Sequence, residues 1–380
     1  MDTADTVIVG GGIAGLATAW ALAESGAQGV VVVERDASCG RHSSGLNAAI
    51  LRSAIDSPAT RALARSTAAA LSDLPASLRQ HSPGPLMDGR GLVVCEGTID
   101  LPEPRWLADA LADGARGLSK GELDQLVPGF VPEGERQWWF PQLGRIDREG
   151  LLACLQAASQ ALGVRILTNA EVVGIPIDQS GQARGVNLAQ GGSIAAERVV
   201  LAPGGWAAKL AQTCGARFPG RPTRRHLFVS SPAPAVSPDQ PIVWDDAAGF
   251  YALPDSEGLM LCLCDEEDTD PDACFPDPLI ERRLRRRLAA SLPSLSQLAI
   301  ERSWCAMRTL SEDDHPVVGE DPQVGGLWWV GALGGHGMSI SLGLGRTAAA
   351  LLLGQQVDPT IAGLLAPASA AREYSPTRDW

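Results

Sequence analysis

The first thirty-four residues carry two apolar periods in succession. TVIV at 6 to 9 is a short continuous apolar run of strand length, and IAGLATAWALAESG from residue 13 places its apolar positions at helical spacing up to Gly26. A second apolar run, VVVV at 30 to 33, ends at Glu34. Strand, glycine turn, helix and strand in this order predict a βαβ unit with its two strands parallel.

The remaining periodicity predicts a composite. An alanine-rich helix spans Ser57 to roughly Arg79 and closes at Pro83, Gly84 and Pro85, and GLVVC at 91 to 95 reads as a strand. GELDQLVP is a helical segment ending at Pro128, and REGLLACLQAASQALG after Asp147 is a helix preceding the strand VRILT at 164 to 168. Turns at Gly181 and Gly191 separate strands that lead into RVVLAPGG at 198 to 205. Between Arg217 and Arg308, the runs HLFVS, PIVW, GFYALP and GLMLCLC predict an antiparallel sheet with proline-rich turns. The ending, GGLWWVGALGGHGMSISLGLGRTAAALLLG, again reads as strand, glycine loop and helix.

The expected fold class is therefore α/β in an α+β composite: a Rossmann-like nucleotide domain with an antiparallel-sheet substrate domain. The nucleotide domain is expected in three pieces, 1–80, 146–216 and 309–380, with the substrate domain at 81–145 and 217–308. At 380 residues and 45% hydrophobic content the chain is large enough for two cores.

Charge narrows the partners. A net charge of −13 disfavours nucleic acid and anionic lipid, so small molecules are the expected ligands. The one basic run, Arg282, Arg283, Arg285, Arg286 and Arg287, alternates with Leu284 and Leu288 and reads as a solvated helix face. The eight cysteines lack paired CxxC spacing, so no metal site is expected. Met1 is followed by Asp2 and Asp5 rather than a basic leader, which points to a reducing cytoplasm and free thiols. The uncharged stretch from Val7 to Ala23 and the one from Leu327 to Gly345 are too rich in glycine for membrane spans.

Candidate chemistry begins at Gly10, Gly12 and Gly15, a GxGxxG directly after a strand. Gly10 suits the tight turn, Gly12 a close backbone approach to a pyrophosphate, and Gly15 close helix packing. The helix N-terminus at Ile13 and Ala14 offers N–H groups to phosphate. Glu34 lies nineteen residues after Gly15, at the place where a carboxylate accepts from a ribose diol, and Arg35 beside it suits adenine or a phosphate. The motif alone leaves NAD and FAD both open.

CGRHSSGLNAAILR at 39 to 52, VVLAPGGWA at 199 to 207 and WCAMRTLSEDDHPVVG at 304 to 319 decide between them. With these segments the chain resembles, over nearly its whole length, the D-amino-acid oxidase superfamily of the glutathione-reductase-like FAD enzymes. That superfamily includes glycine oxidases, sarcosine oxidases and D-amino-acid dehydrogenases, and the likeness is strongest to D-arginine dehydrogenase.

The resemblance implies a noncovalent FAD at the junction of the two domains. It places His42, Ser43, Ser44, Asn47, Ala48 and Ala49 along the pyrophosphate and flavin, and the backbone of Val172 near adenine. Ala202, Gly204 and Trp206 belong to the same cofactor set. Gly334, Gly335, His336, Gly337, Met338 and Ser339 are placed against the pyrimidine side of the ring.

For the substrate it implies Arg225, Tyr251 and Arg308, with Arg308 clamping a carboxylate. Glycine or arginine at Arg90 and Gly91 stands where a D-arginine enzyme carries glutamate, so a cationic side chain is not favoured. Ile50, Ile55, Ile242 and Trp244 suggest an apolar pocket, and Arg52 could accept an acidic group. Cys305 falls one residue from the covalent flavin position of sarcosine oxidases. Met260 stands where their oxygen-activating lysine is, and Lys120 and Lys209 are the only lysines. His315 is expected to cap a turn before Pro316, and His336 to pack beside the flavin, rather than to act as bases.

The expected activity is oxidation of a small amine or amino acid, D-amino-acid-dehydrogenase-like. Hydride would pass from substrate Cα–H to flavin N5, with a quinone or O2 as electron acceptor. A glycine- or sarcosine-type oxidase releasing H2O2 and a 2-hydroxy-acid dehydrogenase are the rival activities, and a flavoprotein subunit that no longer catalyses is a rival of another kind.

Overall fold

A computed structural model describes residues 2–256 and 258–367. Residues 368–380, expected at the end of the last nucleotide-domain piece, lie outside the described residues.

The chain builds two sheets. The first is 8-stranded, and its main path runs Val317–Glu320, Leu327–Gly331, Ser193–Leu201, Asp2–Val9, Val30–Val33, Arg165–Leu167. From Leu327–Gly331 to Arg165–Leu167 the neighbours pair in parallel. A hairpin of Val172–Gly174 and Gly185–Leu188 attaches to Ser193–Leu201. All four residues of Val30–Val33 are buried, as expected for a parallel strand covered on both faces. The helix Ile13–Glu24 is buried from Ile13 through Ala23 and packs between the helices Arg148–Ala161 and Gly337–Leu352. Its apolar residues on every side are thus the signature of an interior helix.

The second sheet is 9-stranded, ordered Glu267–Asp268, Arg221–Ser230, Gly258–Cys262, Phe250–Asp255, Ile242–Asp245, Leu92–Glu96, Arg136–Phe140, Arg116–Gly117. The long strand Ile300–Leu310 pairs along Arg221–Ser230. The predicted strands HLFVS, PIVW, GFYALP and GLMLCLC all lie here. One pairing departs from the expected antiparallel order: Ile242–Asp245 runs parallel to Leu92–Glu96. These strands come from segments nearly 150 residues apart, too far for a hairpin to set their direction.

Local chemistry sets the helix boundaries. Ser57 accepts from Thr60 N–H and Pro58 follows it, opening Pro58–Ser72. The single helix expected to reach Arg79 breaks at Pro75, and a short Ala76–Arg79 turn follows. Asp147 caps Arg148–Ala161 by accepting from Gly150 N–H at 2.9 Å. The basic run lies on Pro278–Ser291, where Leu284 and Leu288 are buried and Arg282, Arg283, Arg285 and Arg286 are exposed. Among the described residues no helix is long and apolar enough to cross a membrane.

Candidate active site

Two cavities meet between the sheets. The first, about 440 Å³, begins at the C-terminal ends of Asp2–Val9 and Val30–Val33. The second, about 720 Å³, lies on the side of the 9-stranded sheet. Asn47, Arg308, Gly335 and Met338 line both.

At the first cavity the glycine turn is held by sterics. Gly10 has φ +109, and a Cβ there would stand 2.5 Å from the Ala202 carbonyl oxygen. A Cβ on Gly15 would stand 1.9 Å from the Gly10 oxygen, so Gly15 packs under the turn and does not itself line the cavity. Glu34 accepts Gly11 N–H at 2.8 Å through one carboxylate oxygen and Asp36 N–H at 2.9 Å through the other. Ile13 N–H, expected to be free for phosphate, instead donates to Ser44 Oγ at 2.9 Å. Gly12 and Ala14 border the cavity at the same helix end.

Arg35, Val172, Ala202, Gly204 and Trp206 also line this cavity, as do His42, Ser43 and Ser44. The Arg35 guanidinium lies 3.7 Å from the Trp206 ring centroid, a cation–π contact, and His42 packs on the same indole. Ser43 Oγ donates to the Met307 carbonyl at 2.8 Å, tying the loop to the strand that carries Arg308. Asn47 staples that loop, donating to the carbonyls of Ser43 and Ser44 and accepting from Ala49 N–H.

Ala48 and Ala49, expected along the cofactor, border the second cavity instead. The C-terminal glycine loop divides: Gly337 faces the first cavity, Gly334, His336 and Ser339 the second. Ser339 Oγ donates to the Ile50 carbonyl at 2.8 Å, so this loop holds the stretch leading to Arg52.

In the second cavity the structure brings together Arg225, Tyr251, Arg308, Ile50, Ile55, Arg52 and Trp244. Ile242 is not among them; it is fully buried in the core. Arg90, turned onto Asp88 at 2.6 Å, and Gly91 line neither cavity. The cavity is also lined by five carboxylates that sequence reasoning missed, Asp56, Asp246, Glu266, Glu312 and Asp314, two of which hold its arginines. Asp246 pairs with Arg52, and Glu266 pairs with Arg225. Arg52 stacks 4.5 Å from the Trp244 centroid, Trp244 donates to Asp246 at 2.7 Å, and Trp244 stacks on Tyr251. Asp246 lies two residues past PIVW, and Glu266 sits in the acidic run DEED; neither position announces a partner 194 or 41 residues away.

Arg308 differs from its neighbours. It is 7% exposed, its Nη1 donates only to the Met307 carbonyl at 2.9 Å, and its Nε is buried without a partner. Among the described residues no carboxylate pairs with it. Burial first, and Arg225 beside it second, push its pKa down. Tyr251 is held well above the ordinary phenol range, chiefly by burial, and is therefore a neutral hydroxyl. His336 is pushed down to about 3 by burial and by Arg52, Arg225 and Arg308, so its ring is uncharged at neutral pH. His315 does not simply cap its own turn: its Nδ1 meets Ser57 Oγ at 2.6 Å. Met260 is buried in its strand, and among the described residues no lysine lines the second cavity.

A Rossmann-type unit with an acidic strand end, open to an arginine-lined second cavity, defines a dinucleotide-dependent enzyme that handles a small substrate. Comparison with known proteins makes this specific. The DAO family model, FAD dependent oxidoreductase, matches residues 5–351, and the chain belongs to that family. FAD is thus its cofactor. The first cavity fits it, because Gly10 in its backbone cradle leaves no room for a side chain, Gly12 lies bare beside Ser44, and Glu34 stands at the strand end where a nucleoside would sit.

A glycine oxidase from Pseudomonas putida is 28% identical over 333 residues, covering 85% of this chain and 87% of that protein. The bifunctional protein ThiO/ThiG of Nostoc sp. is 27% identical over 83% of this chain, which spans about half (48%) of that relative's length. An L-proline dehydrogenase from P. horikoshii shares the fold with a TM-score of 0.82 at 19% identity, over 96% of this chain and 97% of that one.

Proposed function

We propose that the protein oxidises the C–N bond of a small amino acid carried in the second cavity, with its carboxylate on Arg308. The observation that supports this most directly is the unpaired, buried Arg308 guanidinium beside the neutral Tyr251 hydroxyl. Of the cavity's four arginines, Arg52, Arg221 and Arg225 already have carboxylate partners, which leaves Arg308 to attract one external anion. Glycine oxidases among the relatives agree with an amino acid substrate.

FAD, when bound, would supply the two-electron acceptor. The chain's residues would do the positioning. Arg308 would take the carboxylate through its guanidinium fork, and Tyr251 would donate a hydrogen bond to the same group. Arg225, neutralised by Glu266, would brace Arg308 from the strand beside it, where Thr223 and Arg308 stand opposite in register. Trp244, stacked on Tyr251, would form the apolar wall for the side chain. Uncharged His336 would let the amine approach without repulsion.

Among the described residues no lysine lines the second cavity, and on that ground slow reaction with oxygen, hence a dehydrogenase, is the favoured reading; the resemblance to D-amino-acid dehydrogenases adds a D-amino acid as substrate and a quinone as acceptor. The oxidase reading, favoured by the relatives' names, remains its rival. The test is anaerobic mixing of the holoprotein with D- and L-amino acids, N-methyl amino acids and hydroxy acids, following loss of the flavin absorbance. Bleaching by D-amino acids with slow recovery in air supports the reading. Fast recovery with peroxide supports an oxidase, and bleaching by hydroxy acids alone overturns amine oxidation.

A further inference from the structure

Away from the substrate cavity, two thiols touch. Cys274 Sγ and Cys305 Sγ lie 3.3 Å apart, although the residues come from different parts of the chain. Cys305 is on the strand Ile300–Leu310, opposite His226 and three residues before Arg308. Cys274 sits in the loop between Thr269 and Asp277 and is half-buried, so small oxidants can reach it.

That loop is fixed on both sides of Cys274. Before it, Asp270 accepts from Lys209 at 2.7 Å, and Asp272 accepts from Trp206 Nε1 at 2.7 Å. After it, Asp277 N–H donates to His226 Nε2 at 2.7 Å, while His226 Nδ1 is 2.6 Å from Asp265. The two thiols are therefore held at contact by the surrounding structure. A disulfide needs the sulfurs only about 1.2 Å closer, at roughly 2.05 Å. The pair is also chemically unequal. The Cys305 thiol hydrogen-bonded to Cys274 Sγ, against the effect of burial and helped by the neighbouring His226, Arg224 and Arg308, holds Cys274 down at about 7, while the same contact pushes Cys305 up. A substantial fraction of Cys274 is thus thiolate at neutral pH while Cys305 stays a thiol, the division a nucleophilic and a resolving cysteine require.

We infer that Cys274 and Cys305 form an oxidisable pair that a hydroperoxide converts to a disulfide across the rim of the cofactor cavity. The Cys274 thiolate attacks one peroxide oxygen, the O–O bond breaks, and the departing alkoxide or hydroxide takes a proton, leaving a sulfenic acid. Cys305 sulfur then attacks Cys274 sulfur, the S–O bond breaks, and water leaves with the Cys305 proton. Two thiols and one hydroperoxide give one disulfide, one alcohol or water, and one further water. The bond would tie the loop bearing Asp272, which lines the cofactor cavity, to the strand bearing Arg308. The inference is independent of the substrate.

The holoprotein is treated with hydrogen peroxide, its remaining thiols are alkylated, and it is cleaved at acidic residues, which separates Cys274 from Cys262 and Cys264. The expected result is one cross-linked peptide joining 274 to 305, lighter by two hydrogens than its reduced parts and absent after reduction. In Cys305→Ser a dimedone adduct should accumulate at Cys274, and in Cys274→Ser Cys305 should stay reduced. Oxidation appearing first at Cys262 or Cys264, or a Cys305→Ser protein with no trappable sulfenic acid at Cys274, overturns the inference.

Discussion

Replacing Arg308 by methionine separates substrate recognition from structure. Two charge-assisted hydrogen bonds to a buried carboxylate contribute about 3–5 kcal/mol together. At 1.36 kcal/mol per decade this is a loss of roughly 10²- to 10⁴-fold in kcat/KM. Folding should respond in the opposite sense. Arg308 is buried without a carboxylate partner, so the folded chain bears the cost of its desolvation, and an apolar side chain of similar length removes that cost. Arg308→Met should therefore melt at or above the temperature of the parent protein. The assay is the anaerobic rate of flavin bleaching against substrate concentration, run beside thermal melts. A control uses the amine that lacks the carboxylate: the parent protein should process it poorly, and the substitution should change that rate little. Activity within about threefold of the parent refutes the carboxylate role, and a melting temperature lowered by more than about 4 °C, roughly 3 kcal/mol for a chain of this length, refutes the unpaired burial of Arg308.

Glu34→Ala leaves the Gly11 and Asp36 N–H groups without their acceptor. Loss of about 1–3 kcal/mol should weaken FAD by roughly 10- to 100-fold in an absorbance titration; an unchanged Kd refutes the assignment. Asp246→Asn frees Arg52 of its counter-charge while Trp244 still supports it. Amino acids with acidic side chains should gain on neutral ones by at least about fivefold in kcat/KM, the scale of a ~1 kcal/mol ion pair; no change in that ratio would show that Arg52 does not face the side chain. His336, held at about 3 in the fold against 6.5 when unfolded, is a site where the unfolded chain binds the proton first. Its contribution to stability is complete above pH 6.5 and is lost as pH falls toward 3. The parent protein should thus lose more melting temperature than His336→Gln between pH 7 and 4, and parallel profiles would refute the shift.

What could be read from the sequence divides by range. The turn at Gly10, the close packing at Gly15 and the strand end at Glu34 were legible because the spacing of one βαβ unit fixes them, whereas the Ala202 carbonyl that crowds Gly10 and the Gly11 and Asp36 N–H groups that engage the Glu34 carboxylate were not. Ser44 was named, but its acceptance of the Ile13 N–H was not foreseen, because that bond joins residues 31 apart through a loop without periodicity. Asp246 and Glu266 were missed for the same reason in stronger form: a carboxylate's partner depends on which strands become neighbours. Ile242 and Trp244 share a face by strand alternation, yet only Trp244 reaches the second cavity. Ile242 lies at the other end of a four-residue strand, opposite Leu92, where the core covers it. Alternation assigns a face, whereas the distance along the strand to the edge of the cavity decides which residue on that face meets substrate. That distance is a property of the assembled sheets, and the same limit hid the Cys274–Cys305 contact, whose partners are 31 residues apart and meet in a loop anchored by distant residues that include His226 and Lys209.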